Sequence, residues 1–287
     1  MADITAGVVM KLRKMSGQGM MDCKQALAET DGDLDKALEL LRKKGLATME
    51  KRAGRETSEG RVVVNKSDDG KTAVMVMLCC ETDFASKSDD FVEVSGKLAD
   101  AGMSCSSDQG VEAISETEVD GKKMADILTE LISKTGEKTE IGDFVRYSIN
   151  GSGVIGTYVH FNNKIGAMVE IETSSDDVSA AVESVAVDIA MHVTALNPIG
   201  VDRDSIDPEV IAKEREIAAE QMKGKPAEII EKIVDGKMNK FFAENCIVDQ
   251  GFVKDDSITV GQALGNASKS ASGQAKIKRF IRFEIGS

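Results

Sequence analysis

Apolar residues recur at helical spacing through the first 45 positions. Val8, Val9 and Leu12 share a face behind Thr5, a capping residue, and Ser16-Gly17-Gln18-Gly19 ends that run. A second helical run begins near Met20 and passes through Cys23, Leu27 and Ala28 to a turn at Thr30-Asp31-Gly32. Asp33 caps a third run on Leu34, Ala37, Leu38 and Leu41, and Gly45 stands where a helix tends to stop. The pattern predicts three short helices with a core that is marginal for a unit this small. Residues 48–60 are polar, lack apolar periodicity and read as a linker.

Beyond residue 60 the period changes. Two β-branched, apolar runs, 61–65 and 73–80, flank the turn signal Ser67-Asp68-Asp69-Gly70 and predict a hairpin. A polar stretch, 81–90, leads to a helix over 91–103, then to a loose acidic segment, 104–121. An amphipathic helix follows on Met124, Ile127, Leu128, Leu131 and Ile132. A shift of 91 positions lays Val63-Val64 on Val154-Ile155, Met77 on Met168, Cys80 on Ile171 and Glu81-Thr82 on Glu172-Thr173. The body therefore reads as two related α+β halves, each an antiparallel hairpin backed by helix. All three prolines, Pro198, Pro208 and Pro226, fall in the second half. There, two helical runs (209–222 and 227–242) flank Gly224-Lys225-Pro226, which predicts an inserted antiparallel helical hairpin. Its apolar stripe of Val210, Ile217, Ile230, Ile233, Val234 and Met238 is expected to form the seam between those helices. A last strand is expected at 276–285.

Charge separates the head from the body. The 287 residues carry a net charge of −13, yet residues 1–56 hold 11 Lys/Arg against 9 Asp/Glu. So acidic a chain is poorly suited to binding nucleic acid by itself, because its field opposes approach to phosphate. With no Trp and two Tyr it also lacks stacking platforms. No run approaches ~18 consecutive apolar residues and the first ten positions lack a signal-peptide pattern, so a cytoplasmic protein is expected. Five cysteines without a C-x-x-C pair suggest packed, reduced thiols. The sequons at Asn65 and Asn266 would matter only in a secreted chain.

Several tempting chemistries fail on spacing. Gly151-Ser152-Gly153-Val154-Ile155-Gly156 matches a dinucleotide-binding fingerprint, but a strand rather than a helix follows. Asp31, Asp33 and Asp35 open like a calcium loop, whose sixth and twelfth positions are here Lys36 and Arg42. His160 and His192 are the only histidines, and His192, on a helical run, reads as structural. Glu81 with Asp83 is the best carboxylate pair for acid–base work, but no nucleophile or oxyanion hole accompanies it. No enzyme activity, cofactor or metal is therefore expected. Two features are left. Met20 and Met21 are adjacent at a helix start, so at least one is exposed as an adaptable contact. Glu81-Thr82-Asp83-Phe84 puts an acid and a ring just past a buried strand. The residues alone favour Asp83 as a loop cap and Phe84 as a minor core anchor.

Five stretches, in order along almost the whole chain, carry a resemblance. They are L-R-x-x-[ST]-G-x-G-M-M-D-C-K-x-A-L at 12–27, T-D-F at 82–84, A-M-H-V at 190–193, G-K-P at 224–226 and F-I-R-F-E at 280–284. With these the chain resembles bacterial elongation factor Ts, the guanine-nucleotide exchange factor for elongation factor Tu. The resemblance implies an α+β protein with a ubiquitin-associated-like head at 1–55 and a first core subdomain at 56–141. A second subdomain at 142–287 carries a coiled-coil hairpin at about 208–246. It implies that Arg13, Met20 and Met21 touch the GTPase domain of elongation factor Tu. Thr82, Asp83 and Phe84 would enter that domain beside its magnesium and phosphates, and Tyr158 and His160 would grip a second domain. A dimeric or 2:2 assembly is compatible with it. The turn Phe161-Asn162-Asn163-Lys164 is one residue longer than in relatives, and no contact is expected from the helical tail many relatives have after the last strand. The competing reading is a plain interaction protein, whose head binds a ubiquitin-like or chaperone partner and whose hairpin oligomerises.

Overall fold

The computed structural model describes residues 4–222 and 227–287. The expected Gly224-Lys225-Pro226 turn lies outside the described residues. Two compact units divide the chain: residues 4–65, Val74–Arg146 and Phe283–Ser287 form one, and Lys66–Ala73 with Tyr147–Arg282 the other.

The first unit begins with helices α1 (Ala6–Ser16), α2 (Met20–Glu29) and α3 (Leu34–Arg52). Thr5 caps α1 through the Val8 N–H, and Gly17, at φ 67°, closes it. The Asp33 carboxylate accepts from the Asp35 and Lys36 N–H groups, both at 3.1 Å, so this acid is a helix cap. Val9, Leu12, Cys23, Ala26, Leu27, Ala37 and Leu41 fill the small core. Fully burying a side chain such as Leu12 or Leu27 contributes roughly 1.5–3 kcal/mol, so these few residues hold the bundle.

The third helix corrects the expectation of a stop at Gly45. It continues to Arg52, and the irregular connection shrinks to residues 53–58. A Cβ at Gly45 would come within 3.1–3.3 Å of the Ser133 side chain and of Thr129. This glycine therefore lets α3 cross closely over a later helix, which outweighs its modest helix cost.

The hairpin strands β1 (Glu59–Lys66) and β2 (Thr72–Cys80) follow, joined by the expected Ser67–Gly70 turn. The polar stretch after β2 is not all loop. It contains a one-turn helix, α4 (Asp83–Ser86), before the long α5 (Asp89–Ser104). The acidic segment likewise holds α6 (Val111–Ser115) and the two-residue β3 (Glu118–Val119), which pairs with β4 (Lys122–Lys123). Helix α7 (Met124–Thr135) and strand β5 (Thr139–Ser148) complete the layer, with sheet order β1-β2-β5. Val74, Val76 and Leu78 of β2 meet Phe91, Leu98, Met124, Leu131 and Phe144 in one core.

The second unit repeats that plan. Strands β6 (Gly153–Val159) and β7 (Ile165–Thr173) pair antiparallel, from Gly153 opposite Glu172 to Val159 opposite Gly166. Helix α8 (Asp176–Leu196) lies on them. It is long and apolar enough to cross a membrane by length and composition, but Val178, Val182, Ala186, Ile189 and Val193 are buried in the sheet's core. A Cβ at Gly156 would fall 2.0 Å from the Ala186 carbonyl oxygen. The glycine-rich stretch thus serves close helix–sheet approach.

Helices α9 (Pro208–Glu220) and α10 (Ala227–Asn245) pack together, followed by β8 (Gly251–Phe252), β9 (Asp255–Thr259), α11 (Val260–Ser270) and β10 (Ala275–Glu284). Sheet order β6-β7-β10 matches β1-β2-β5: a hairpin whose second strand is central and is joined by a later strand. The α9–α10 seam departs from the predicted stripe. Ala218, Val234 and Met238 are buried there with Ile211, Ile230, Phe241 and Phe242 beside them, whereas Val210 and Ile217 stay 39% and 40% exposed.

Candidate functional site

The candidate residues lie at three places, each with exposed apolar side chains. The first is the turn after β2. Thr82, in extended backbone, is the N-cap of α4, and its Oγ1 accepts from the Ala85 N–H at 3.3 Å. Capping therefore falls to Thr82 and not to Asp83. Ala85 and Ser86 are buried, and Ser88 starts a new helix by accepting from the Phe91 N–H at 3.3 Å. Breaking the helix between α4 and α5 gives the two phenylalanines opposite fates. Phe91 is fully buried, whereas Phe84 is 83% exposed, which overturns its reading as a core anchor. Asp83 forms an ion pair with Lys87 at 2.7 Å.

This turn is held by Glu81, through partners the sequence did not single out, and by Glu137. Glu81 accepts from Arg52 Nη1 and Arg55 Nη1, each at 2.7 Å, and from the Lys138 N–H at 2.6 Å. Burial pushes its carboxyl up, but the Lys138 N–H and the two guanidiniums outweigh that and bring it down to about 2. A carboxylate so bound is an anchor and a poor general base, which counts further against acid–base work by Glu81 with Asp83. The Thr82 N–H and hydroxyl donate to the two oxygens of Glu137 at 3.1 and 2.8 Å. No local pattern signals either contact, because the partners lie 26 to 57 residues away.

The second place is the head. Arg13 is exposed at the end of α1, and Met20 and Met21 are 41% and 74% exposed at the start of α2. Met10 and Met15 on α1 are exposed too. Gly19 precedes α2 without a side-chain cap.

The third place is the tip of the β6–β7 hairpin. Tyr158 Oη lies 3.1 Å from His160 Nδ1, and the His160 ring is 4.4 Å from that of Phe161, centroid to centroid. The reverse turn is fixed by the His160 N–H to the Ile165 carbonyl at 2.9 Å and by Asn163 at φ 57°. Phe161 is 86% exposed. Its one signal in the sequence is an aromatic side chain within an otherwise polar hairpin turn, Phe161-Asn162-Asn163-Lys164.

The remaining chemistry is structural. His192 is fully buried, with Nε2 2.8 Å from Gln250 Oε1 and Nδ1 accepting from the Val253 N–H at 3.2 Å. Nδ1 is an acceptor, so the proton sits on Nε2 and the ring is neutral; burial pulls its basicity down. All five cysteines are buried and free. A cleft of about 370 Å³ between α3 and α7 is lined by Leu38, Leu41, Arg42, Thr129, Glu130 and Ser133, with no histidine or cysteine in its lining. Among the described residues no group of three His, Cys, Asp or Glu is placed to hold a metal ion.

The family model described as "Elongation factor TS" matches residues 81–287, and so includes the Phe84 turn and the hairpin tip. Elongation factor Ts of a Nitratiruptor species is 43% identical over 289 residues, covering 99% of this chain and 93% of that protein. The protein of that name from Alkalilimnicola ehrlichii is 43% identical over 285 residues, and that from Clostridium acetobutylicum 40% over 286. Each of these two alignments covers 99% of this chain and 92% of the relative. With near-complete coverage at this identity, the chain belongs to the elongation factor Ts family.

Proposed function

We propose that this protein binds elongation factor Tu carrying GDP, loosens its phosphate and magnesium site, and so promotes exchange of GDP for GTP in the cytoplasm. The observation that carries the reading is the Phe84 ring, exposed on a turn whose two preceding residues are both anchored. Thr82, Asp83 and Phe84 enter the GTPase domain. The ubiquitin-associated-like head docks on that domain through Arg13, Met20 and Met21, and Tyr158 with His160 grips a second domain. The division of labour follows the three parts 1–55, 56–141 and 142–287. The α9–α10 coiled coil of the last part leaves Val210 and Ile217 uncovered, a face that a second copy of the chain would cover in a dimeric assembly.

No covalent step is needed. A factor that weakens nucleotide binding by some ratio is itself weakened by nucleotide in the same ratio, so incoming GTP displaces it. Accelerating release about a thousandfold requires lowering the barrier by ~4 kcal/mol. Burying one Phe side chain contributes roughly 1.5–3 kcal/mol. The head and the second unit must therefore supply binding free energy that is used to distort the GTPase at Phe84. Asp83, already paired with Lys87, can exchange that partner for groups near the metal.

The test is release of labelled GDP from purified elongation factor Tu with and without this chain. Concentration-dependent acceleration is expected. Binding without acceleration, or no binding at all, would remove the exchange reading and leave the plain interaction protein.

A further inference from the structure

We propose that Glu137 is a positioning residue for the exchange turn, fixing Thr82 and, through it, the direction in which Phe84 leaves the surface. The inference rests on the role given to Phe84 above.

The contact is two-pronged. One Glu137 oxygen takes the Thr82 N–H at 3.1 Å and the other takes the Thr82 hydroxyl at 2.8 Å. With its proton committed to Glu137, the hydroxyl oxygen turns a lone pair to the Ala85 N–H at 3.3 Å and so caps α4. Thr82 thus relays the position of Glu137 into the first turn of the helix that carries Phe84. Glu137 is itself held. Gly136 ends α7 at φ 67°, with its N–H on the Ile132 carbonyl at 2.8 Å, and the Glu137 N–H donates to Thr135 Oγ1 at 3.3 Å. One residue before Thr82, the two arginines and the Lys138 N–H immobilise Glu81. Two consecutive residues are therefore tied by charge-assisted hydrogen bonds, which are the strong ones.

A ring that must push a partner's elements apart is effective only if its own support yields less than they do. An unanchored turn would be ordered at the moment of binding, and that ordering subtracts from the free energy available for distortion. Here the turn is ordered in the free protein. The loss of Glu137 should therefore appear in the maximal exchange rate and hardly in the affinity.

The experiment measures stimulated GDP release against factor concentration for the full chain and four variants. Glu137→Ala and Thr82→Val should each lower the maximal rate about tenfold, the scale of one lost charged hydrogen bond. The half-saturating concentration of Glu137→Ala should stay within about twofold, because Glu137 is not one of the docking residues. Thr82→Ser, which keeps the hydroxyl, should restore most of the rate. The double variant Thr82→Val with Glu137→Ala should lose less than the product of the two single losses, since the bond from the Thr82 hydroxyl to Glu137 is common to both. Circular dichroism checks folding, and if Glu137→Ala fails to fold, Thr82→Val and its Ser rescue carry the test. An unchanged maximal rate, a loss confined to half-saturation, or additive losses in the double variant would overturn the proposal. Phe84→Ala run alongside separates the two levels. If it slows release while the Glu137 and Thr82 variants do not, only the positioning role falls. If it too has no effect, the reading of Phe84 falls.

Discussion

Phe84 and Phe161 are the two most exposed large apolar side chains among the described residues, at 83% and 86%, one in each compact unit. Their supports differ. Phe84 stands on a one-turn helix whose entry is tied down by two carboxylates, with charged partners drawn from α3, the residues after it and the α7–β5 connection. Phe161 sits at a hairpin tip held by main-chain hydrogen bonds, and its ring rests on the His160 imidazole. Equal exposure therefore does not mean equal use. A ring on a charge-anchored mount transmits force, whereas one at the end of a β-ribbon adapts its pose and suits grip. The first should govern the rate of exchange and the second its affinity.

The largest effect that could break this contrast belongs to Phe84→Ala. Stimulated GDP release at saturating factor should fall roughly 10- to 100-fold, the kinetic equivalent of losing one buried Phe. Affinity for elongation factor Tu, measured by calorimetry, should fall much less; equal losses would make Phe84 an ordinary contact. Phe161→Ala should show the opposite split. Affinity is expected to drop about 5- to 30-fold, as for a partly buried aromatic anchor, with the saturated rate unchanged. A lower saturated rate would erase the distinction.

The anchoring itself sharpens the comparison through pH. The Glu81 carboxyl falls from 4.5 to about 2 on folding. On acidification the unfolded chain takes up this proton first, so the stabilisation is fully present above 4.5 and lost as pH falls toward 2. Glu81→Gln should lower the urea midpoint at neutral pH and flatten its decline in that acid window. An unchanged profile would show that the arginines contribute nothing to the mount. The smallest effect concerns the head. Peroxide should convert Met20 and Met21 to sulfoxide before Met75, Met124 and Met168, which are fully buried, as peptide mass spectrometry would show. Early oxidation of the buried set would mean that the head's methionines are covered in solution.

Local chemistry made much of the fold legible. Thr5 and Asp33 cap their helices, the Ser67–Gly70 turn joins its hairpin, and the repeat corresponds to two sheets of the same strand order, although their central strands, Thr72–Cys80 and Ile165–Thr173, are offset by 93 residues and not 91, so that Glu172-Thr173 lie within a strand and Glu81-Thr82 beyond one. Gly45 misled because a glycine that stops a helix and one that lets two helices touch look alike until the second helix is in place. Val210 and Ile217 lie at helical spacing like their neighbours, yet Ile211 and Ala218 occupy the seam, since the facing helix sets which side of α9 is covered. Phe84 was ambiguous for a related reason. Whether a ring seven residues before a core phenylalanine points in or out depends on the helix break at Lys87–Ser88.

Residue pattern was enough for the longer helices and strands, their repetition, the basic head on an acidic body, and through the motifs the family. These follow from capping chemistry, apolar period and charge, all of which act over a few residues. That Glu81 and Glu137 converge on one turn and leave Phe84 outside emerges from the folded chain alone. Their partners come from segments 26 to 57 residues away, and an ion pair leaves no periodic trace in the chain that makes it.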